Sequence, residues 1–140
     1  MSKFKRNRGD GGRFVLLPFA VLESGAYLSL TGQQIRLLLD IAHQYKGDNN
    51  GRLLAAWTYL SEERGWTSKQ TIATALEALL SRGLLFKTRQ GQRPNKTSWY
   101  AVTWQPLDHH PGMDVGPQSM DRSAYKRWKP EKEKQNQTPD

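Results

Sequence analysis

The chain has 140 residues, no cysteine, and 21 Lys and Arg against 13 Asp and Glu, for a formal net charge of +8. That length suits one domain with tails, and the lack of cysteine excludes a disulfide scaffold or a cysteine-ligated zinc site. The basic excess predicts attraction to a polyanion.

The charge is uneven along the chain. Residues 1–13 hold five basic side chains and one acidic, residues 14–104 ten and six, and residues 105–140 six of each. Residues 1–13 are Gly-rich, basic and poor in apolar groups, the composition of a disordered arm. The apolar stretch Phe14–Leu22 behind that arm superficially resembles a signal peptide. Pro18 interrupts it and no small-x-small cleavage site follows, so it is expected to pack on a core. No apolar run is long enough to cross a bilayer. A cytoplasmic location is therefore expected, with no membrane partner. Pro18 and the Ser24-Gly25 pair break residues 14–30 into a short helix or an extended lead-in.

The next element is a helix. Thr31 and Gln34 have capping-box spacing. Ile35, Leu38, Leu39 and Ala42 then recur at helical period, flanked by Leu37, Ile41 and Tyr45. Gly47 stops it, and Asp48-Asn-Asn-Gly51 is a turn signal. Arg52–Leu54 would be a small strand. A second helix runs from about Ala56 to Arg64, anchored by Leu60 and ended by Gly65. Thr67 and Gln70 repeat the capping-box spacing. Behind them Ile72, Ala75, Leu76, Leu79 and Leu80 mark one apolar face of a third helix, which Gly83 stops. Leu84–Gln90 and Thr97–Trp104 are rich in β-branched and aromatic residues around the turn-forming stretch 91–96, the pattern of a β-hairpin. On its second run Tyr100, Val102 and Trp104 share one face, and Trp99 and Ala101 the other.

From Gln105 onward the composition is polar, with five prolines and no sustained period. Residues 105–140 are expected to be a mostly disordered tail, dispensable for folding. One aromatic-basic island, Ala124–Pro130, stands out in it. Tyr125 and Trp128 there suit either a docking peptide for a protein partner or a segment folded back on the domain. Trp57, Trp66, Trp99 and Trp104 are expected in core or hinge packing.

The order is helix, short strand, helix, tight turn, helix, hairpin. This is a mainly α fold with a small β-hairpin. It matches a winged helix-turn-helix, with a three-helix core and a two- to three-stranded wing sheet, over residues 14–104. Such a domain presents its last helix to the major groove of double-stranded DNA and its hairpin to phosphate. The outward face of the third helix would carry Gln70, Ala73, Thr74, Glu77 and Ser81, with Thr71 at its margin. Gln70 suits a bidentate pair with adenine, and Thr71 and Thr74 suit base edges or thymine methyls. Lys69 could meet phosphate from the first turn beside Ser68. Arg89, Arg93 and Lys96 lie in or beside the hairpin turn, and no acidic residue occurs from Ser81 to Gln105. In the arm, Arg6 and Arg8, with Lys3, Lys5 and Arg13, suit a minor groove. The candidate DNA contacts are thus Ser68, Lys69, Gln70, Thr71, Thr74, Arg89, Arg93, Lys96, Arg6 and Arg8.

Catalysis finds no motif. There are no paired carboxylates, no glycine-rich phosphate loop and no nucleophile pattern. His109 and His110 are adjacent rather than at ligand spacing. No metal or cofactor and no enzymatic activity are expected, and the oligomeric state stays open.

Residues 14–104 resemble the small helix-turn-helix proteins of bacteria associated with phages, plasmids and other mobile elements. Three stretches carry the likeness: Leu22-Glu-Ser-Gly-Ala-Tyr-Leu-Ser-Leu30, the Asp48–Gly51 turn, and Gly91–Trp104. The resemblance implies the winged-helix fold, and such domains occur in transcription regulators and in plasmid replication initiators alike. The leading expectation is sequence-specific binding of double-stranded DNA in transcription regulation. The alternatives are a plasmid or phage replication-initiation accessory, or a winged-helix protein-interaction adaptor.

Overall fold

The computed structural model describes residues 10–130. The arm residues Arg6 and Arg8, and the tail beyond Pro130, lie outside them. The elements in chain order are α1 (Phe19–Leu22), α2 (Gly25–Leu28), α3 (Gly32–Ala42), α4 (Trp57–Glu63), α5 (Lys69–Ser81), β1 (Leu85–Arg89), β2 (Trp99–Val102) and α6 (Ala124–Arg127). The structure is mainly helical with one two-stranded antiparallel hairpin. None of the described helices is long and apolar enough to cross a membrane.

Local chemistry accounts for the helix starts. At α3 both arms of the capping box form: Thr31 Oγ1 accepts from the Gln34 N–H, and Gln34 Oε1 accepts from the Thr31 N–H. Such a pair satisfies two of the free N–H groups at a helix start. At α5 the cap is one residue later than the spacing of Thr67 and Gln70 suggests. Ser68 Oγ accepts from the Thr71 N–H, and the Thr71 hydroxyl donates to the same oxygen. Serine is the better N-cap of the two, in keeping with the cap falling on Ser68. Ser24 caps α2 in the same way.

The core is built where α3 crosses α5. Leu37, Leu38 and Ile41 from α3 meet Ile72, Ala75 and Leu79 from α5, with Leu60 of α4 and Val21 of α1 beside them. The inward face of α3 is centred on Leu37, Leu38 and Ile41; Leu39, expected inside, is 37% exposed. Each fully buried leucine of this set contributes stability that truncation to alanine would reduce by about 2–5 kcal/mol. Asp40, on the same helix, is buried and ties α3 to the turn after α4. Its carboxylate accepts from Trp66 Nε1 at 2.6 Å and pairs with Arg64 Nη2 at 2.9 Å.

The hairpin pairs Leu85 with Val102 and Phe86 with Ala101, with a register shift between Lys87 and Arg89. Leu53 adds a single antiparallel bridge to Tyr100, closed by two backbone bonds of 2.9 Å. The small strand expected at Arg52–Leu54 is thus a one-residue third member of the sheet. Both faces of β2 are buried: Tyr100, Ala101 and Val102 are all covered.

The cover on the second face is the chain after Trp104, and here the structure corrects the sequence expectation of a disordered tail. Residues 105–130 run across the domain. The Asn50 side chain is fully buried and donates to the carbonyls of Val102, Gln105 and Pro106. The Asp108 carboxylate accepts from the Asn50 N–H. A Cβ on Gly51 would lie 2.5 Å from Met113 Cε, and Gly51 has φ +122, so only glycine fits under this strap. Gly112 lies against the Trp99 ring. The strap ends in α6, which packs on α1 and α2. Tyr125 is 3% exposed and belongs to the core. Trp128 packs against that core, with the Arg82 guanidinium 4.7 Å from its ring centroid. The aromatic island is therefore folded back on the domain, and its two aromatics are not a free docking peptide. The domain extends beyond the boundary that composition suggests at Trp104, because a strap held by backbone hydrogen bonds needs no apolar period.

Candidate nucleic-acid interface

The nominated residues fall in two clusters. The first is the N-terminal half of α5. Gln70, Ala73, Thr74, Glu77 and Ser81 are all exposed, and Thr71 is half-buried at the margin, as the helical angle predicts. Ile72, Ala75, Ala78 and Leu79 fill the other side. Gln70 Nε2 donates to Thr74 Oγ1 at 3.2 Å on the exposed face. Ser68 is engaged as the cap of the helix. The first turn has no acidic side chain. Lys69 stands there instead, with Nζ 5.5 Å from the centroid of the Trp57 ring. A cation at a helix N-terminus opposes the helix dipole, by about 0.3–1 kcal/mol. The stack on Trp57 offsets part of that cost. The result is a helix start that is electropositive twice over, from its N–H groups and from Lys69.

The second cluster is the hairpin. Arg89 is half-buried; its Nε and Nη2 donate to the Thr97 carbonyl, and its guanidinium lies 3.7 Å from the Trp99 ring centroid. It clamps the two strands together at the base of the turn. Gln92 and Lys96 close that turn with reciprocal backbone bonds of 2.8 and 2.9 Å. Beyond the clamp, Arg93 and Lys96 are exposed. Neither makes an ion pair with any described residue, whereas Arg36, Arg64 and Arg127 do. The strap fixes the hairpin from the side. The Asp114 N–H donates to the Thr88 carbonyl at 2.8 Å, and Asp114 Oδ2 accepts from the Gln90 N–H at 2.7 Å.

Hydrogen bonds form within each cluster, and none links one to the other among the described residues. Of the arm cations only Arg13 is described; it is exposed. Sequence reasoning missed Trp57 and Asp114, which position Lys69 and the hairpin base. Trp57 stands twelve residues before Lys69, and Asp114 lies in a stretch without periodicity, so neither had a local signal. Arg89 was nominated as a phosphate contact, and its geometry serves the hairpin. His109, in the strap, has Nε2 2.8 Å from the Val115 carbonyl. No family model matches the chain, and neither a curated protein nor a solved structure does.

Proposed function

We propose that this chain binds double-stranded DNA as a winged helix-turn-helix protein, in transcription regulation. In this reading α4 braces α5, α5 enters the major groove by its first two turns, and the hairpin is the wing. The observation that carries the proposal is the pairing of an outward polar face on α5 with a braced hairpin. That hairpin ends in two cations, Arg93 and Lys96, that form no ion pair among the described residues, and no acidic residue occurs from Ser81 to Gln105. A cation placed on a hairpin tip without a protein partner gains nothing for the fold, and phosphate is its natural counter-charge.

The chemistry of the α5 face divides the work. Gln70 exchanges an exposed hydrogen bond to Thr74 for the N6 and N7 edge of adenine. Lys69 and the free N–H groups of the first turn meet phosphate. Glu77 is the single acidic group on α5 and confines base contact to the turns before it. Arg93 and Lys96 add sequence-independent affinity, which fixes orientation without reading bases. The arm cations Arg6 and Arg8 would extend the same electrostatic footprint.

The test is selection of bound molecules from random-sequence duplexes with the full chain. A common site should emerge. On that site Gln70→Ala should cost roughly 1–3 kcal/mol, with little loss on random DNA. No retention of any duplex at low salt would end the proposal.

A further inference from the structure

A cleft of about 650 Å³ opens where the segment before α1 passes the ends of α3 and β2. That volume lies inside the range of about 300–1,000 Å³ usual for small-molecule sites. None of the residues placed against DNA lines it. One side is fixed in advance: Ala42, Val102 and Trp104 are buried members of the core. The other side is the segment itself, tied to the domain where Trp104 Nε1 donates to the Leu16 carbonyl at 2.9 Å.

The lining has three aromatic rings, those of Phe14, Tyr45 and Trp104. Phe14 is 82% exposed. An aromatic ring so placed gains little for the fold, and gains its burial only when something covers it.

The polar lining favours an acceptor as guest. The main-chain carbonyls of Leu16, Ala42, Val102, Trp104 and Gln105 each already accept a hydrogen bond. The Gln105 amide and the Tyr45 hydroxyl, both on half-buried side chains, make no hydrogen bond among the described residues; each can donate to a ligand. Arg13 is exposed and forms no ion pair among the described residues, and no Asp or Glu among them lines the cleft. A second copy of a chain with net charge +8 would meet like charge here. An anion meets the opposite charge.

We propose that this cleft binds a small aromatic anion, with its rings against Phe14, Tyr45 and Trp104 and its charge toward Arg13. The apolar walls supply affinity, and the cation and the free donors supply the choice of ligand.

Two probes with the same rings separate these contributions: anilinonaphthalene sulfonate, which is anionic, and phenylnaphthylamine, which is uncharged. Each is titrated against the full chain over about 1–1,000 μM. The anionic probe should bind once per chain and raise the melting temperature, because a ligand of the folded state stabilises it. It should bind more tightly than the uncharged probe by about two- to fivefold, the worth of an exposed ion pair. Arg13→Ala should abolish that preference and leave the uncharged probe unchanged. Phe14→Ala should weaken both probes by about two- to tenfold. Phe19, 77% exposed but off the cleft, is the control, and Phe19→Ala should change neither. No binding over this range overturns the proposal, as does a fall in melting temperature, which marks binding to unfolded chain. One probe per two chains overturns it in favour of a site shared with a second copy. A preference that survives Arg13→Ala, or Phe19→Ala weakening binding as much as Phe14→Ala, places the probe elsewhere and also overturns it. No readout involves DNA, so failure here leaves the DNA-binding reading untouched.

Discussion

Asp40 is 5% exposed, accepts hydrogen bonds from Trp66 Nε1 and the Arg64 guanidinium, and forms an ion pair with Arg36 Nε at 3.8 Å. Arg36 also lies 4.4 Å from the Trp66 ring centroid, and its guanidinium reaches the Arg64 carbonyl. A carboxylate is tolerated at this depth only when it is paired and hydrogen-bonded. The arrangement fixes the turn around Gly65, which sets the angle between α4 and α5. Removing the carboxylate leaves the Trp66 Nε1–H buried without its acceptor, while Arg36 and Arg64 keep access to water. Asp40→Ala should therefore lower stability by about 1–3 kcal/mol, read from the midpoint of urea unfolding with m unchanged. A loss below about 1 kcal/mol would show that the cluster contributes little to the turn. The sequence offered no sign of this role, since Asp40 sits among apolar residues at a position that periodicity alone would call an ordinary solvated charge.

At the scale of elements, the hairpin is held at three points. Arg89 bridges its strands to Thr97, Leu53 bonds Tyr100 from one side, and Asp114 bonds Thr88 and Gln90 from the other. A two-stranded hairpin is marginal alone, so these attachments decide whether its tip keeps one position. Asp114→Ala removes the acceptor for the Gln90 N–H on an exposed edge. It should cost about 0.5–1.5 kcal/mol and speed amide exchange at Gln90 and Gly91 by roughly two- to tenfold, since each 1.4 kcal/mol is tenfold in an opening equilibrium. Unchanged exchange there would mean that Arg89 and Leu53 suffice.

The hairpin, α3, α4, α5 and the inward face of α5 were legible in the sequence from a local period, a capping pair or a glycine stop, whereas α1 and α2 were expected only as a short helix or lead-in and α6 lies in the stretch expected to be disordered. The cap of α5 falls one residue after the one the Thr67–Gln70 spacing suggests, on Ser68, whose hydroxyl is the better N-cap. The bracing by Asp114 was illegible because it is a contact across 24 residues with no pattern to announce it.

At the scale of the whole molecule, the chain after Trp104 is part of the domain. Deleting residues 105–140 would uncover Ala101, strip Asn50 of two carbonyl acceptors and the Asp108 carboxylate, and remove Tyr125 from the core. Loss of one buried large aromatic costs about 3–5 kcal/mol. The 1–104 chain should melt at least about 10–20 °C below the full chain, and Tyr125→Ala should account for much of that fall. Equal melting temperatures would return the boundary to Trp104. Composition pointed the other way because five prolines and many charges usually mean disorder. A strap satisfied by backbone bonds needs only a few apolar anchors, and Leu107, Met113 and Tyr125 supply them here.

Binding to DNA is the central claim, and its most direct test is a titration of a labelled duplex with the full chain over a range of salt. Neutralising about five phosphates predicts a slope of log affinity against log salt of roughly −4 to −5. Arg93→Ala with Lys96→Ala should make that slope shallower by up to about two and weaken all sequences alike. A flat salt response, or a slope that the double variant leaves unchanged, would contradict a wing that grips phosphate.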